Sequence, residues 1–417
     1  MSSLDHEPKP APQSSYTTFG LLAERSRAIV EAILQRRALP NEAKTMRLIP
    51  SPEAADFIPL SYSRFRHVVR EAVGELPQGE TVGGNNRRAY SVSEIHRIRQ
   101  YLYEKTGDAR YCPGRQEGDK LQVLAIANFK GGAAKTTTTI HLAEYLALRG
   151  YRVLAIDTDP QASLTSIFGG TRLEDTDDTY TTIYGPLTGR CSIRDVIFES
   201  HIDGLDYVGS NIFLNAAEFE LPGIQVRDKS FAFHLQIDKA IREVEGDYDV
   251  VLIDCPPSLN YCAINAICAA TALIVPAPPH MLDFTSTGLF FELLGDTLEQ
   301  LELQAGFPKI FDFVRILLTR YDPNAVDQER VARWMQANYD EHLLMKTIPE
   351  TKSLDQAGTK IETLYEMHDP RNRQTYNRGR EAVDAVNAEI ESLIRGVWGQ
   401  VSEGDALTIS PVVDAAE

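Results

Sequence analysis

Residues 128–137 read Asn-Phe-Lys-Gly-Gly-Ala-Ala-Lys-Thr-Thr and combine small residues with two lysines and two threonines. Small residues let the backbone wrap an anion, and amides at the start of a helix point toward it. Lys135 would then reach the β- and γ-phosphates of a nucleotide, and the Thr136 hydroxyl would bind Mg²⁺. A bare turn before a helix explains the composition less well, because an apolar run precedes the segment and a helical pattern follows it.

The loop departs from the generic pattern GxxxxGK[ST], because Phe129 and Ala134 occupy its two glycine positions. It matches the variant KGGxxK[ST], which begins with an additional lysine, Lys130. The predicted nucleotide-binding residues are Lys130, Gly131, Gly132, Ala133, Ala134, Lys135, Thr136 and Thr137.

Carboxylates follow two other apolar runs. Asp157 and Asp159 end one run, and Asp254 ends another. Open α/β sheets bind ligands at the carboxyl ends of their strands, so these acids should lie beside the loop. Hydrolysis of a γ-phosphate needs a metal shell and a group that orients water. We expect Asp254 to serve the metal through water with Asp157 nearby, and Asp159 to orient the water.

The elements that must position these residues alternate along the chain. Near-continuous apolar runs of this kind are typical of parallel strands covered on both faces. Strands are predicted over residues 123–127, 153–156, 250–253, 272–275 and 314–318, and helices over 137–149, 231–245, 287–303, 327–339 and 376–397. The alternation predicts a doubly wound, mostly parallel α/β sheet of the P-loop NTPase class.

The first 120 residues follow another pattern. Ser51-Pro52-Glu53 predicts a helix start with a capping hydroxyl, and a second helix is predicted over residues 62–73. Residues 79–90 predict a hairpin or wing, and a capping box at Ser91 and Glu94 begins another helix. We therefore expect an N-terminal helical and winged helix-turn-helix domain. The predicted division is a flexible tail over 1–20, a DNA-binding region over 21–105, a linker over 106–120, an ATPase domain over 121–398 and an acidic tail over 399–417.

The loop and the two carboxylate sites together resemble the deviant-Walker ATPases of the ParA/MinD group, and most of all the RepA partition ATPases of repABC plasmids. The resemblance is strong over residues 121–365 and looser over 45–105. It implies ATP and Mg²⁺ as cofactors, a homodimer that closes on ATP, and a catalytic Lys130 that reaches the other subunit's phosphates. It also implies a ParB-type centromere-binding partner that stimulates slow hydrolysis.

Other branches of the group fit less well. MinD-like ATPases carry a basic amphipathic membrane helix, whereas residues 401–405 are polar and acidic, so we expect no membrane partner. Five cysteines without CxxC spacing fit a reducing cytosol and no disulfide framework, which predicts a cytoplasmic protein. A repressor that uses nucleotide only as a switch stays open as an alternative.

The charge distribution bears on DNA. The 417 residues are 43% hydrophobic, which excludes wholesale disorder, and the net charge of −17 argues against nucleic acid. Residues 1–120, however, hold 18 basic and 15 acidic side chains, so the negative charge lies in the remainder. Arg64, Arg66 and Arg70 would enter the major groove of operator DNA, and Arg87 and Arg88 would grip its backbone.

A second basic cluster, residues 371–380, could bind non-specific DNA and associate the protein with the nucleoid. A solvated helix start explains that cluster equally well. A rival surface carries Arg320, Arg330 and Arg333. Taken together, the sequence predicts an ATP-dependent DNA partition ATPase that also represses its own operon.

Overall fold

The structure, a computed structural model, describes residues 21–22, 24–25, 44–83, 87–169, 181–306, 308–359, 361–368 and 372–400. The described residues from Thr45 onward belong to one compact unit. The predicted tail over 1–20, most of residues 21–43, and all but the first two residues of the predicted acidic tail lie outside the described residues.

The first part of this unit is built from three short strands and three helices. In chain order these are β1 (Ile49–Pro50), α1 (Ser51–Phe57), α2 (Tyr62–Glu71), β2 (Glu80–Val82), β3 (Arg87–Tyr90) and α3 (Val92–Thr106). The strands form an antiparallel sheet in the order β1-β3-β2, with Thr81 opposite Arg88. The predicted hairpin is therefore present, and its tip at residues 84–86 lies outside the described residues.

Local sequence signals account for the helix starts, with one correction. The Ser91 side chain accepts from the Glu94 amide and the Glu94 carboxylate accepts from the Ser91 amide, so the predicted capping box is present. Ser51 was expected to cap α1, which is wrong. Its hydroxyl donates to the Arg88 carbonyl oxygen at 2.7 Å, which ties α1 to the hairpin instead.

The second part contains a seven-stranded sheet. Its strands are β4 (Gln122–Ile126), β5 (Val153–Asp157), β6 (Ile197–Glu199), β7 (Leu205–Val208), β8 (Val250–Asp254), β9 (Ala272–Ala277) and β10 (Phe313–Leu318). They lie in the order β10-β9-β4-β8-β5-β7-β6, and every neighbouring pair is parallel except β6 with β7.

Helices cover both faces of this sheet. They are α4 (Lys135–Leu148), α5 (Ser163–Gly169), α6 (Tyr184–Leu187), α7 (Ala217–Arg227), α8 (Gln236–Arg242), α9 (Tyr261–Ala269), α10 (Met281–Ala305), α11 (Val326–Tyr339), α12 (Lys352–Thr359) and α13 (Arg373–Val397). Every residue of β4, β5, β8 and β9 is buried, as strands covered on both faces require. The predicted doubly wound α/β class is confirmed.

Several elements were missed or misplaced. Among the helices, α5, α6, α7, α9 and α12 were not predicted. The helix predicted over residues 231–245 is shorter, because a 3₁₀ turn at Phe233–Leu235 precedes α8. β6 and β7 were not predicted at all. Both are only three or four residues long and each contains an acidic residue, so neither shows the continuous apolar run of a central strand.

The N-terminal part packs firmly against the rest of the unit. One hydrophobic core runs from Phe65 and Ile95 to one face of the sheet and on to Val383 of α13. Arg99 of α3 is fully buried and donates to carbonyl oxygens of Phe57 and Arg110. Burial lowers the pKa of Arg99 to about 10, and the positive charge of Arg149 adds to this effect.

Residues 106–120 follow α3 without a regular element, yet they are anchored to the sheet. The Arg115 amide donates to Asp249 at 3.2 Å. A Cβ on Gly114 would lie 2.8 Å from the same carboxylate, so only glycine allows this approach. The division of the chain into a DNA-binding region, a linker and an ATPase domain stays a prediction. Within the described residues, no helix is both long enough and apolar enough to span a membrane.

Candidate functional site

The predicted phosphate loop joins the end of β4 to the start of α4. Lys135 is the first residue of that helix, so the loop's backbone amides and the positive end of the helix dipole meet here. Gly132 has φ +77° and Ala134 has φ +68°, both in the left-handed region. Alanine pays about 1–2 kcal/mol for this conformation where glycine pays little. The loop therefore keeps the glycine conformation at Ala134 at a cost in backbone strain.

Neighbouring strands hold the loop from outside. Buried Asn128 donates through Nδ2 to the Pro276 carbonyl oxygen at 2.7 Å and to Thr287 at 3.2 Å. Thr319, which follows β10, donates to the Ala133 carbonyl oxygen at 3.0 Å. These bonds tie the loop to β9, α10 and β10, and so fix it before any ligand binds.

Lys135 points back into the loop. Its Nζ donates to the Lys130 carbonyl oxygen at 3.0 Å, and only 6% of the residue is exposed. Burial lowers the pKa of Lys135, while the nearby Asp254 carboxylate opposes that effect. A buried ammonium at the N-terminus of a helix is suited to binding phosphate oxygens.

Thr136 and Asp254, both expected near the metal, are in direct contact. The Thr136 hydroxyl donates to the Asp254 carboxylate at 2.6 Å, and Thr139 lies 3.4 Å from the other carboxylate oxygen. Asp254 is fully buried, and burial together with the nearby Asp157 raises its pKa well above the ordinary value. A hydroxyl and a carboxylate are ligands that Mg²⁺ accepts, so this pair fits a magnesium site.

Asp157 stands beside Asp254, because β5 and β8 pair these two residues in register. Both of its oxygens are used locally. One accepts from the Asp159 amide at 3.0 Å, and the other accepts from the amide and hydroxyl of Thr165 at 2.9 and 2.5 Å. Burial raises the pKa of Asp157 to about 6, and these hydrogen bonds oppose the effect. Asp157 thus orders the loop after β5, and Asp254 is the better placed metal carboxylate.

Asp159 lies at the partly exposed end of that loop. One oxygen of its carboxylate accepts from the Gln161 amide at 2.9 Å, and the second oxygen takes no part in this turn. Ala162, three residues on, has a left-handed φ of +54°. Asp159 is therefore accessible to solvent beside the buried carboxylates, where a water-orienting group would be needed.

Lys130, the additional lysine at the start of the phosphate loop, forms an ion pair that was not predicted. Its Nζ lies 3.0 Å from the Asp283 carboxylate in the first turn of α10. The Lys130 side chain is 44% exposed, whereas that of Asp283 is 10% exposed. The sequence carried one weak sign of this role, an acid in the first turn of the helix that follows a central strand.

A second unanticipated residue is Arg320, just beyond β10. Its Nη1 lies 3.8 Å from the position that a Cβ on Gly132 would take, so the guanidinium borders the phosphate loop. The residue has a left-handed φ of +52° and pairs with Glu350 at 3.0 Å. Its position beside the loop makes it a neighbour of the nucleotide site as well as part of the rival DNA surface.

The predicted DNA-binding arginines lie on the surface of the N-terminal part. Phe65, Val68 and Val69 are the buried side of α2. The arginines on its other side, Arg64, Arg66 and Arg70, are exposed, as are Arg87 and Arg88 of β3. The five predicted side chains are thus presented by one helix and one hairpin, as the sequence analysis expected.

The second basic cluster divides into surface and buried parts. Arg373 and Arg378 are exposed on α13, and Arg371 lies outside the described residues. Arg380 is buried, pairs with Glu53 and Asp384 at 3.0 Å each, and lies 4.0 Å from the centre of the Tyr365 ring. Arg380 joins α13 to α1 and is not available to DNA in this structure.

Comparison with known proteins identifies the family and the fold. A family model described as an AAA domain matches residues 121–303. The chain is 38% identical over 371 residues to a replication protein A of Sinorhizobium fredii, covering 87% of this chain and 89% of that protein. It is 34% identical over 249 residues to the chromosome partitioning protein ParA of Caulobacter vibrioides, covering 59% of this chain and 88% of that one.

One solved structure extends the likeness over nearly the whole chain. A protein named partition protein matches with a TM-score of 0.64 and 20% identity, covering 93% of this chain and 100% of that chain. At this identity the match shows the fold alone. It includes most of the N-terminal part, which the family model leaves out.

Proposed function

This chain belongs to the ParA family of partition ATPases, and we propose that it segregates DNA through a cycle of ATP binding, dimerisation and hydrolysis. The observation that carries the proposal is the hydrogen bond from Thr136 to buried Asp254 beside a phosphate loop that also presents the partly exposed Lys130. We propose that the protein acts in the cytoplasm, in association with the nucleoid.

The residues of the phosphate loop, 130–137, would hold the phosphates of ATP. Thr136 would ligate Mg²⁺ directly and Asp254 through water, and the ion would neutralise charge on the β- and γ-phosphates. The raised pKa of Asp254 follows from burial beside another carboxylate, so a cation here would favour its ionised form. Asp159 would orient the water that attacks the γ-phosphate.

Lys130 would change partner during the cycle. In the single chain it pairs with Asp283, and its partly exposed ammonium can leave that carboxylate at modest cost. In the ATP-bound homodimer we propose that it reaches the phosphates held by the other subunit. The nucleotide would thereby complete the interface, and hydrolysis would weaken it.

DNA binding would involve two surfaces. Arg64, Arg66 and Arg70 on α2 would read an operator, and Arg87 and Arg88 would contact its phosphates, so the protein would repress its own operon. Non-specific DNA would bind only in the ATP state, either to the exposed arginines at the start of α13 or to the surface of Arg320, Arg330 and Arg333. A ParB-type centromere-binding protein would stimulate hydrolysis and release.

A second function, a repressor in which nucleotide only switches operator binding, is favoured by one observation. The N-terminal part is joined to the ATPase body through the contact of His96 with the Ala147 carbonyl oxygen and through the Arg380–Glu53 pair, so a change in the body could be transmitted to the N-terminal helices. That function needs no ATP-dependent dimer and no turnover, which separates it from the partition cycle.

Comparison of the wild-type chain with Asp159→Ala and Lys130→Ala tests the proposal. Association state is measured by analytical ultracentrifugation with ADP or ATP and Mg²⁺, and phosphate release is measured in parallel. We expect ATP-dependent dimers in the wild type, dimers that persist without turnover in Asp159→Ala, and monomers that still bind ATP in Lys130→Ala. Normal turnover in Asp159→Ala, or ATP-dependent dimers in Lys130→Ala, would remove that residue from the mechanism.

A further inference from the structure

Exposed apolar side chains lie at the edge of the sheet that carries the phosphate loop. Ile212 and Phe213 follow the end of β7 by four and five residues, and Met281 and Leu282 follow the end of β9 by the same distances. All four are exposed, Ile212 by 60% and Leu282 by 79%. The carboxyl ends of parallel strands meet at one edge, and β7 and β9 lie on opposite sides of β4. These side chains therefore flank the phosphate loop on both sides.

One flank of α10 extends this surface. Two phenylalanines on the other flank pack against the Tyr339 ring of α11, with ring centres 6.0 and 5.8 Å apart. The uncovered flank carries Leu282, Leu289 and Leu293, which are all exposed. Their spacing of seven and then four residues places them on one side of the helix. We call the exposed apolar set the apolar edge; its members are Ile212, Phe213, Met281, Leu282, Leu289 and Leu293.

The segments that form this edge are poor in charge. No Asp, Glu, Lys or Arg occurs in residues 207–217 or 255–282, although 24% of the chain is charged. Burial of β9 and of much of α9 accounts for part of the second run, but Pro257 and Ser258 are exposed and also carry no charge. At the opposite edge of the sheet, the partly exposed Lys120 and Arg152 precede β4 and β5. The segments around the nucleotide site are thus uncharged where the opposite edge is charged.

These features favour a second copy of this chain as the occupant of the apolar edge. Exposed apolar and aromatic side chains without charges are typical of the core of a protein interface. Residues 121–417 hold 24 basic and 44 acidic side chains, so two such bodies repel each other except where their surfaces are uncharged. The apolar edge is also continuous with Lys130, because Asp283, the ion-pair partner of Lys130, directly follows Leu282.

We propose that the apolar edge binds the same surface of a second copy, related by a two-fold axis, with the nucleotides between the two edges. The inference rests on the ATP-dependent dimer of the proposed function and adds the side chains that hold the two copies together. A two-fold interface uses the same residues of both chains, so each apolar side chain contributes twice. Lys130 would make the contact specific for the ATP state, and the apolar edge would supply the hydrophobic burial.

The test measures the dimer dissociation constant of the full chain by sedimentation velocity, over a series of protein concentrations with a non-hydrolysable ATP analogue and Mg²⁺. The edge variants are Leu282→Gln and Ile212→Gln. The matched control is Leu303→Gln, because Leu303 is exposed on the same helix but lies about 32 Å further along its axis, away from the phosphate loop. Each edge variant should weaken the dimer by about 100-fold or more, since burial of one aliphatic side chain counts twice. Leu303→Gln should dimerise as the wild type does.

Equal dimer affinity of the edge variants and Leu303→Gln would overturn the proposal and leave a different partner as the occupant of the apolar edge. The ATP-dependent dimer of the proposed function would stand in that case. A wild-type chain that binds the analogue and stays monomeric would instead contradict that dimer, and the surface assignment with it. The replaced side chains are exposed, so the variants should fold, and unchanged analogue binding by equilibrium dialysis at low protein concentration verifies this.

Discussion

Replacement of Arg380 tests how the N-terminal part is held against the ATPase body. The Arg380→Ala change removes one guanidinium from Glu53, Asp384 and the face of the Tyr365 ring. Burial alone would lower the pKa of Arg380. Tyr365 and the carboxylates of Asp384 and Glu53 have the larger combined effect, so the pKa is raised. The native state therefore depends on the positive charge at this position.

The magnitude follows from the contacts that are lost. Breaking a buried ion pair by removing one partner costs about 3–5 kcal/mol, because the remaining charge stays without compensation. Loss of the cation–π contact lies in the range of about 0.5–2 kcal/mol, and Glu53 keeps Arg47 at 2.5 Å, which reduces the total. We expect a loss of about 3–4 kcal/mol, or a Tm lower by roughly 5–10 °C.

Thermal and urea unfolding of Arg380→Ala and Arg380→Lys, with Arg378→Ala as the control, measure this loss. Arg378 lies on the same helix with an exposed side chain, so its removal should change stability by less than about 0.5 kcal/mol. Arg380→Lys keeps the positive charge but loses the planar guanidinium, so its stability should lie between those of Arg380→Ala and Arg378→Ala. Equal stability of Arg380→Ala and Arg378→Ala would refute the structural role and return Arg380 to the candidate DNA surface.

The remaining predictions concern the nucleotide, DNA and pH. Lys135→Ala should abolish ATP binding in equilibrium dialysis, because Lys135 is the buried cation at the phosphate loop, and tight ATP affinity in that variant would overturn the assignment. Changing Arg87 and Arg88 together to Ala should weaken operator binding, lower the salt dependence of log K by about 2 and leave ATPase activity intact, and unchanged operator affinity would exclude the hairpin. Because burial raises the pKa of Asp157 from 3.8 to about 6, the folded state holds a proton that the unfolded state has released in that window. Asp157 therefore contributes up to about 3 kcal/mol to the free energy of unfolding below pH 4, and this contribution is lost as pH rises through 6. Urea unfolding at stepped pH should show that Asp157→Asn flattens this part of the profile of stability against pH.

Much of the fold was predictable because the central strands carry a strong signal. β4, β5, β8 and β9 are buried on both faces, and a chain can meet that demand only with a continuous apolar run. β6 is an edge strand and β7 lies next to it, near the side of the sheet where polar side chains are tolerated. Short edge strands that carry acids do not differ enough from loops for periodicity to separate them.

The candidate site was predictable where the topology of a parallel sheet brings residues together, because the carboxyl ends of its strands meet at one edge. The phosphate loop and the acids follow strands of this sheet, so Asp254 was expected beside the loop, where it contacts Thr136. The Lys130–Asp283 pair depends on how α10 leaves β9, which residue types alone do not specify. The role of Arg380 could not be assigned from sequence either, because an arginine-rich helix start is consistent with an exposed DNA-binding surface and with buried ion pairs.

The central claim is that nucleotide controls DNA binding, and one measurement tests it most directly. Affinity for operator and for non-specific DNA is determined with no nucleotide, with ADP and with ATP and Mg²⁺, at several salt concentrations. We expect non-specific DNA to bind tightly only with ATP, with the steep salt dependence of a few clustered arginines on an acidic body, and we expect Lys130→Ala to lose this binding. Non-specific DNA affinity that is the same in all three nucleotide states would contradict it.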